Sequence, residues 1–154
     1  MKKLFLSFLL AAFFSLTMAG TAAAANWVWV DSDDHVGIFF DSASIKFEQK
    51  GESLDENVIY VWWYMQLDDA YAQHRPFRGK VIKRLVFYDK FDLKDQMITH
   101  IDAVAYDQSG DSVDRGANGK TSRIIPGTKT ETLMNAVASY AQKHREEIAE
   151  RSRK

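Results

Sequence analysis

The chain has 154 residues, with 20 Lys and Arg against 21 Asp and Glu, and it contains no cysteine. This near balance of charge gives no reason to expect nucleic acid as a partner. The missing thiols exclude thiol catalysis, thiolate metal sites and disulfides. An aromatic content of 13%, with four Trp, favours one domain with a core that needs no disulfide.

The first 25 residues have the order of a secretory signal peptide. Lys2 and Lys3 form a basic start, residues 4–16 are almost wholly apolar, and small residues follow as far as Ala25. The apolar run of about 13 residues is short for a membrane anchor, which is the alternative interpretation. We expect cleavage before Asn26. The mature domain, residues 26–154, would then have no membrane span and would lie in the periplasm or at the cell surface.

The mature chain opens with strand patterns separated by polar turns. Residues 27–30 and 35–40 predict an antiparallel hairpin around an Asp- and Ser-rich turn. A short strand at residues 45–48 and a polar loop at residues 49–56 follow. The strongest strand pattern covers residues 57–67.

The second half of the strand region continues after a break in the pattern. Residues 68–73 are compatible with a helical turn, and further strands are predicted at residues 80–88 and 96–107. A Gly-containing hairpin turn then leads to an edge strand at residues 112–115. Residues 115–123 are expected to be mobile.

The last element changes to the helical period. Its apolar and aromatic positions recur three or four residues apart: Leu133, Val137, Tyr140, Ala141, His144 and Ile148. Thr128 and Glu131 fit a capping box at its start, and the charged residues 143–154 are expected to fray. The sequence therefore predicts an α+β fold, an antiparallel sheet of about six strands flanked by one C-terminal helix.

One helix covers only one face of a sheet, and the strand at residues 57–67 is apolar on both of its faces. Tyr60, Trp62 and Tyr64 follow each other on the second face. Neighbouring strands are expected to add further apolar residues there: Ile82, Val86, Tyr88, Val104 and Tyr106. The alternative is burial of this face under the long loops. Exposed aromatic surfaces mark contact sites, so we interpret Tyr60, Trp62 and Tyr64 as candidates for binding a protein partner or a second copy.

A second candidate contact region is a basic and aromatic stretch before the next strand. Arginine and aromatic residues are the types found at binding hot spots. The candidates are Tyr71, His74, Arg75, Phe77 and Arg78. The alternative is an ordinary surface loop with solvated charges.

The sequence offers no pattern typical of catalysis. None of the four His has a partner at metal-ligand spacing, and the neighbouring carboxylates Asp55/Glu56 and Asp68/Asp69 are expected at solvated strand ends. There is no nucleophile elbow and no phosphate-binding loop. We expect no enzymatic activity, no cofactor and no metal site.

Several short motifs occur in a fixed order along the chain. They are Asp-Ser-Ala-Ser-Ile at residues 41–45, Val-Trp at 61–62, Tyr-Asp-Gln-Ser-Gly at 106–110 and Ile-Ile-Pro-Gly-Thr at 124–128. In this order the chain resembles the bacterial surface-adhesin protein E family over nearly all of residues 26–142. The resemblance implies a PAS-like antiparallel sheet flanked by a helix, no catalysis, capture of host matrix proteins and dimerisation. The chain lacks the cysteines that many relatives carry, and its segment at residues 68–79 is longer than expected.

Three functions stay open from the sequence. The first is a surface adhesin for host macromolecules, and the second is a periplasmic structural or accessory domain with an envelope partner. The third is a small-ligand sensor or carrier. A closed pocket lined by Tyr60, Trp62 and Tyr64 would favour the third, whereas a flat aromatic face would favour a protein partner.

Overall fold

A computed structural model describes residues 25–74, 76–116 and 119–154 of the chain. The predicted signal peptide, residues 1–25, lies outside the described residues except for its last position. The described strands are β1 (Trp27–Ser32), β2 (Val36–Asp41), β3 (Lys46–Lys50), β4 (Ser53–Leu67), β5 (Ile82–Asp92), β6 (Met97–Asp107), β7 (Ser112–Gly116) and β8 (Thr121–Arg123). The helices are α1 (Asp69–His74), α2 (Lys129–Lys143) and α3 (Arg145–Ser152), with a 3₁₀ turn at Ser42–Ser44.

The strands form one antiparallel sheet with the order β1-β2-β4-β5-β6-β7. The long strands β4 and β6 each pair with two short strands along one side. Strand β3 pairs with the first half of β4 while β2 pairs with its second half, and β8 shares β6 with β7 in the same way. The predicted α+β class and antiparallel sheet are confirmed, whereas the PAS-like description stays a prediction.

The core lies between one face of this sheet and the two C-terminal helices. Strand β4 contributes Ile59, Val61 and Trp63, and α2 contributes Leu133 and Val137 to the same buried cluster. Of the capping box predicted at the start of α2, the Thr128 cap is present, while Glu131 bonds the amide one residue before the cap. Thr128 Oγ1 accepts a hydrogen bond from the Glu131 amide at 3.4 Å, and the Glu131 carboxylate accepts one from the Gly127 amide at 2.8 Å.

Three details differ from the sequence-based expectation. The loop predicted at residues 49–56 is a tight hairpin, because Gly51 adopts a positive φ of 64° and lets β3 turn directly into β4. The segment predicted to be mobile contains β8, which pairs with β6. The charged end, expected to fray, forms α3, whose Ile148 and Ser152 are buried; the Ser152 hydroxyl accepts a hydrogen bond from the Phe47 amide of β3 at 2.8 Å.

Within the described residues, no helix is long and apolar enough to cross a membrane.

Candidate functional site

Strand β4 turns three large aromatic side chains away from the core. Tyr60, Trp62 and Tyr64 alternate with the buried Ile59, Val61 and Trp63, since successive side chains of a strand point to opposite faces. The C-terminal helices pack against the other face, and these three residues stay half-buried. We call this surface the outer aromatic face; it comprises Trp27, Trp29, Phe39, Tyr60, Trp62, Tyr64, Val86, Tyr88, Val104 and Tyr106.

The rings of the outer aromatic face lie against each other in pairs set by the strand register. Trp62 is opposite Tyr88, and their rings stack with centroids 4.9 Å apart. Phe39 is opposite Tyr64, and their rings stack at 4.8 Å. Trp27 places its edge on Tyr64 with centroids 4.7 Å apart. Stacked and edge-to-face pairs add stabilisation beyond simple burial, so these contacts hold the rings of the face against each other.

One row of apolar side chains crosses five neighbouring strands. The register places them in a single line: Trp29, Phe39, Tyr64, Val86 and Val104. At about 4.8 Å between strands this row is about 19 Å long. Its end at the edge strand is the most open part, because Trp29 is 60% exposed and Trp27 is 40% exposed. The predicted co-location of Val86, Tyr88, Val104 and Tyr106 is confirmed.

Ile82, which we expected on this face, is buried on the other side. The pairing of β5 with β6 shifts between Ile82 and Arg84, so the alternation read from the sequence does not extend back to Ile82. Ile82 instead lines an apolar groove with Leu67 and Leu85 on the helix side of the sheet.

Polar groups surround the outer aromatic face. The Tyr60 hydroxyl donates a hydrogen bond to Glu48 at 3.0 Å, and Glu48 pairs with Lys50 at 3.4 Å. Burial, and then the bond to Glu48, raises the pKa of Tyr60 to about 12, so its hydroxyl stays a donor at neutral pH. On the opposite side Asp102 binds Arg115 at 2.6 Å.

An arginine also lies over two rings of this face. The Arg84 guanidinium is 5.0 Å from the ring centroid of Tyr106 and 5.8 Å from that of Tyr64. Such cation–π contacts hold a long side chain flat against aromatic surface and leave its donors directed outward. The face therefore has an apolar centre, a charged rim and one arginine arranged over its rings.

The second predicted region lies elsewhere. Tyr71 and Phe77 line an apolar groove of about 570 Å³ on the helix side of the sheet, together with Leu85 and Ala105. His74 is exposed at the end of α1. Arg75 lies outside the described residues. The predicted contact residues that the structure describes are thus split between the two faces of the sheet.

Arg78 is at the tip of a two-residue hairpin. Phe77 and Lys80 exchange two backbone hydrogen bonds of 2.9 Å, while Arg78 and Gly79 have φ values of 50° and 75°. Two successive positive φ values define a type I′ turn. The Arg78 guanidinium lies 5.0 Å above the Phe77 ring and 3.4 Å from Asp114. The tip is a basic projection beside the groove.

The structure also contains a buried polar group that the sequence analysis missed. Asp89 is fully buried on the core side and accepts hydrogen bonds from Trp63 Nε1 at 2.7 Å and His100 Nδ1 at 3.0 Å. Burial raises the pKa of the Asp89 carboxyl above its usual range, and the two hydrogen-bond partners oppose that rise. The sequence does contain a signal for it, the inward spacing Phe87-x-Asp89-x-Phe91, but this spacing runs past residue 88, where the predicted strand ends.

The described ranges contain no group of three His, Asp or Glu side chains that could hold a metal ion.

Comparison with known proteins finds similarity in solved structures only. No family model matches the chain, and no curated protein matches it. The chain is similar to a structure of Haemophilus influenzae protein E, with 19% identity, a TM-score of 0.48, and coverage of 80% of this chain and 89% of that one. A structure of protein E from non-typeable Haemophilus influenzae gives 18% identity, a TM-score of 0.43, and coverage of 79% and 80%. The structural neighbours are thus protein E structures, as the ordered motifs predicted.

Proposed function

We propose that the protein is an exported, non-enzymatic binding domain that contacts a protein partner through the outer aromatic face. The observation that supports this best is the row of paired aromatic side chains on the side of the sheet opposite the helices. An apolar centre with a charged rim is the usual anatomy of a protein interface. Trp, Tyr and Arg, the types most enriched at interface hot spots, occur here together as Trp62, Tyr88 and Arg84.

The shape of the face favours a protein over a small ligand. Trp62 and Tyr64 lie flat against neighbouring rings instead of enclosing a cavity. Tyr60 and Tyr88 border a depression of about 530 Å³ beside β3 that is open to solvent. A small ligand would leave most of the 19 Å apolar row in water, whereas a protein surface could cover it, since interfaces typically bury about 800 Å² on each partner.

The partner can be tested by photo-crosslinking in producing cells. A photoreactive phenylalanine analogue replaces Tyr88 at the centre of the face, and the matched control carries it at Asn135, an exposed position of α2. We expect one discrete adduct from position 88 and none from position 135. Its mass then separates a homodimer from a different partner. Equal labelling at both positions, or no adduct at position 88 with or without host matrix protein, would contradict the proposal.

The finer proposal is a surface adhesin for host macromolecules, in line with the family resemblance of the sequence motifs. Protease shaving of intact producing cells tests it, with a periplasmic protein as leakage control. Cleavage of the domain while the control survives would support the adhesin. Protection until the envelope is breached would refute adhesion and favour a periplasmic accessory domain with an envelope partner.

A further inference from the structure

A pocket of about 400 Å³ opens on the helix side of the sheet, at the start of α2. Its walls are mainly apolar and include Trp63, Phe87, Ile98, Ile124 and Leu133. This volume lies in the range of small-molecule sites, about 300–1,000 Å³. We propose that this pocket binds a small amphipathic carboxylate with a straight acyl chain. The chain lies against the apolar walls, and the carboxylate binds Arg123.

Two cationic side chains line the pocket, and one of them, Arg123, is left to bind an anion. Arg123 lies at the end of β8, lines the pocket, and makes none of the ion pairs or side-chain hydrogen bonds found within the described ranges. The other cation at the pocket, Lys129, is held by Asp31 at 3.2 Å and Asp33 at 3.1 Å. Its charge is already balanced, so Arg123 is the group left to bind an anion. A guanidinium matches the planar geometry of a carboxylate.

His100 supplies a second polar group at this pocket. Its side chain is 36% exposed and lines the pocket, and its Nδ1 faces Asp89 at 3.0 Å. The opposite ring nitrogen is then left for a ligand, because the two ring nitrogens lie on different edges of the imidazole. Asp89 is fully buried, so it acts only by positioning His100. Thr128 and Thr130 at the start of α2 also line the pocket, where the helix dipole favours negative charge.

The site discriminates between ligands in two ways. A neutral alcohol of the same chain length leaves Arg123 without its partner, and an alkylamine is repelled by it. A longer acyl chain buries more apolar surface, and about 0.8 kcal/mol per CH₂ corresponds to about fourfold tighter binding for each added carbon. Acyl chains therefore bind in order of length until the pocket is full.

Isothermal titration calorimetry on the delipidated protein, purified from producing cells, tests these expectations. The probes are hexanoate, heptanoate and octanoate, with 1-octanol and octylamine as head-group controls. We expect one saturable site, about fourfold tightening per carbon, and weaker binding of both controls. Octanol or octylamine binding as tightly as octanoate, or no binding of octanoate at millimolar concentration, would overturn the proposal.

Matched variants locate the site. Arg123→Gln should weaken octanoate binding about tenfold, the loss expected for one hydrogen bond to a charged group. Arg153→Gln, which removes the same charge at the exposed end of α3, should leave affinity unchanged. Equal urea midpoints for both variants show that folding is intact. Equal octanoate affinity in the two variants, or methyl NMR shifts at Ile45 and Ile148 instead of Ile98 and Ile124, would refute this site. The proposal concerns the other face of the sheet, so its failure leaves the proposed function untouched.

Discussion

Substitution of the buried Asp89 tests how much its hydrogen bond with Trp63 contributes to the free energy of unfolding. Replacing Asp89 with Ala removes the acceptor of the Trp63 indole N–H, which the structure places 2.7 Å away in a buried position. A buried donor left without a partner costs about 1–3 kcal/mol. We expect the free energy of unfolding at pH 7 to fall by about 2 kcal/mol.

The isosteric variant separates the hydrogen bonds from the charge. In Asp89→Asn the amide oxygen still accepts from Trp63, and the amide NH₂ takes the position that faces His100 Nδ1. This variant also avoids burying a charge, whose cost is visible in the raised pKa of Asp89. We therefore expect Asp89→Asn to lose less than about half of what Asp89→Ala loses.

A double-mutant cycle then isolates the pair. Trp63→Phe removes the indole N–H, so adding Asp89→Ala in that background should cost about 1–2 kcal/mol less than it does in the wild type. The assay is urea unfolding of the purified protein at pH 7, with m-values checked to be unchanged. Equal losses for Asp89→Ala in both backgrounds would refute the argument that the Trp63 bond carries the effect.

Three further predictions concern charge and the C-terminal helix. Because the folded pKa of Asp89 is raised, the stability from its protonated form is present below the unfolded pKa and is lost as pH rises through the folded value. In urea titrations, wild type should therefore lose stability relative to Asp89→Asn as pH rises from below the ordinary carboxyl range toward neutrality. A constant difference between the two proteins would contradict this. Ser152→Ala leaves the Phe47 amide, now bonded at 2.8 Å, without its acceptor and should cost about 1–3 kcal/mol, whereas the exposed Ser139→Ala control should cost almost nothing. The two hydrogen bonds of 2.6 Å from Arg145 to Glu56 are largely exposed, so Glu56→Gln should lower the urea midpoint only slightly, and a loss that persists in 1 M salt would refute a screened surface pair.

The parts of the fold that follow from local periodicity could be predicted from the sequence. The alternation of Ile59, Val61 and Trp63 against Tyr60 and Trp62 gave both the strand and its two faces, and the helical period gave α2. The charged end could not be placed in this way, because the burial of Ile148 in α3 depends on the position of β3, which lies far away in the chain.

The candidate site could be predicted only in part, because it too depends on contacts between elements that lie far apart in the chain. The partners of Tyr64 are Phe39 and Trp27, and their contact depends on the pairing of β1, β2 and β4, which no local pattern specifies. Ile82 was misplaced because one irregular pairing in β5 reverses the alternation before it. Sequence reading therefore found the centre of the face but not its extent.

The central strands of the sheet are apolar on both sides, so each strand contributes to the outer aromatic face and to the core side at once. In β4, Trp62 belongs to the outer aromatic face, while its neighbour Trp63 stacks on Phe87 at 4.5 Å in the wall of the pocket. In β5, Tyr88 and Asp89 divide in the same way between a ring stack and a buried hydrogen bond. A backbone shift of β4 or β5 would therefore displace side chains on both faces of the sheet. It follows that single outward substitutions such as Trp62→Ala perturb one surface alone only if Trp63 keeps its bond to Asp89.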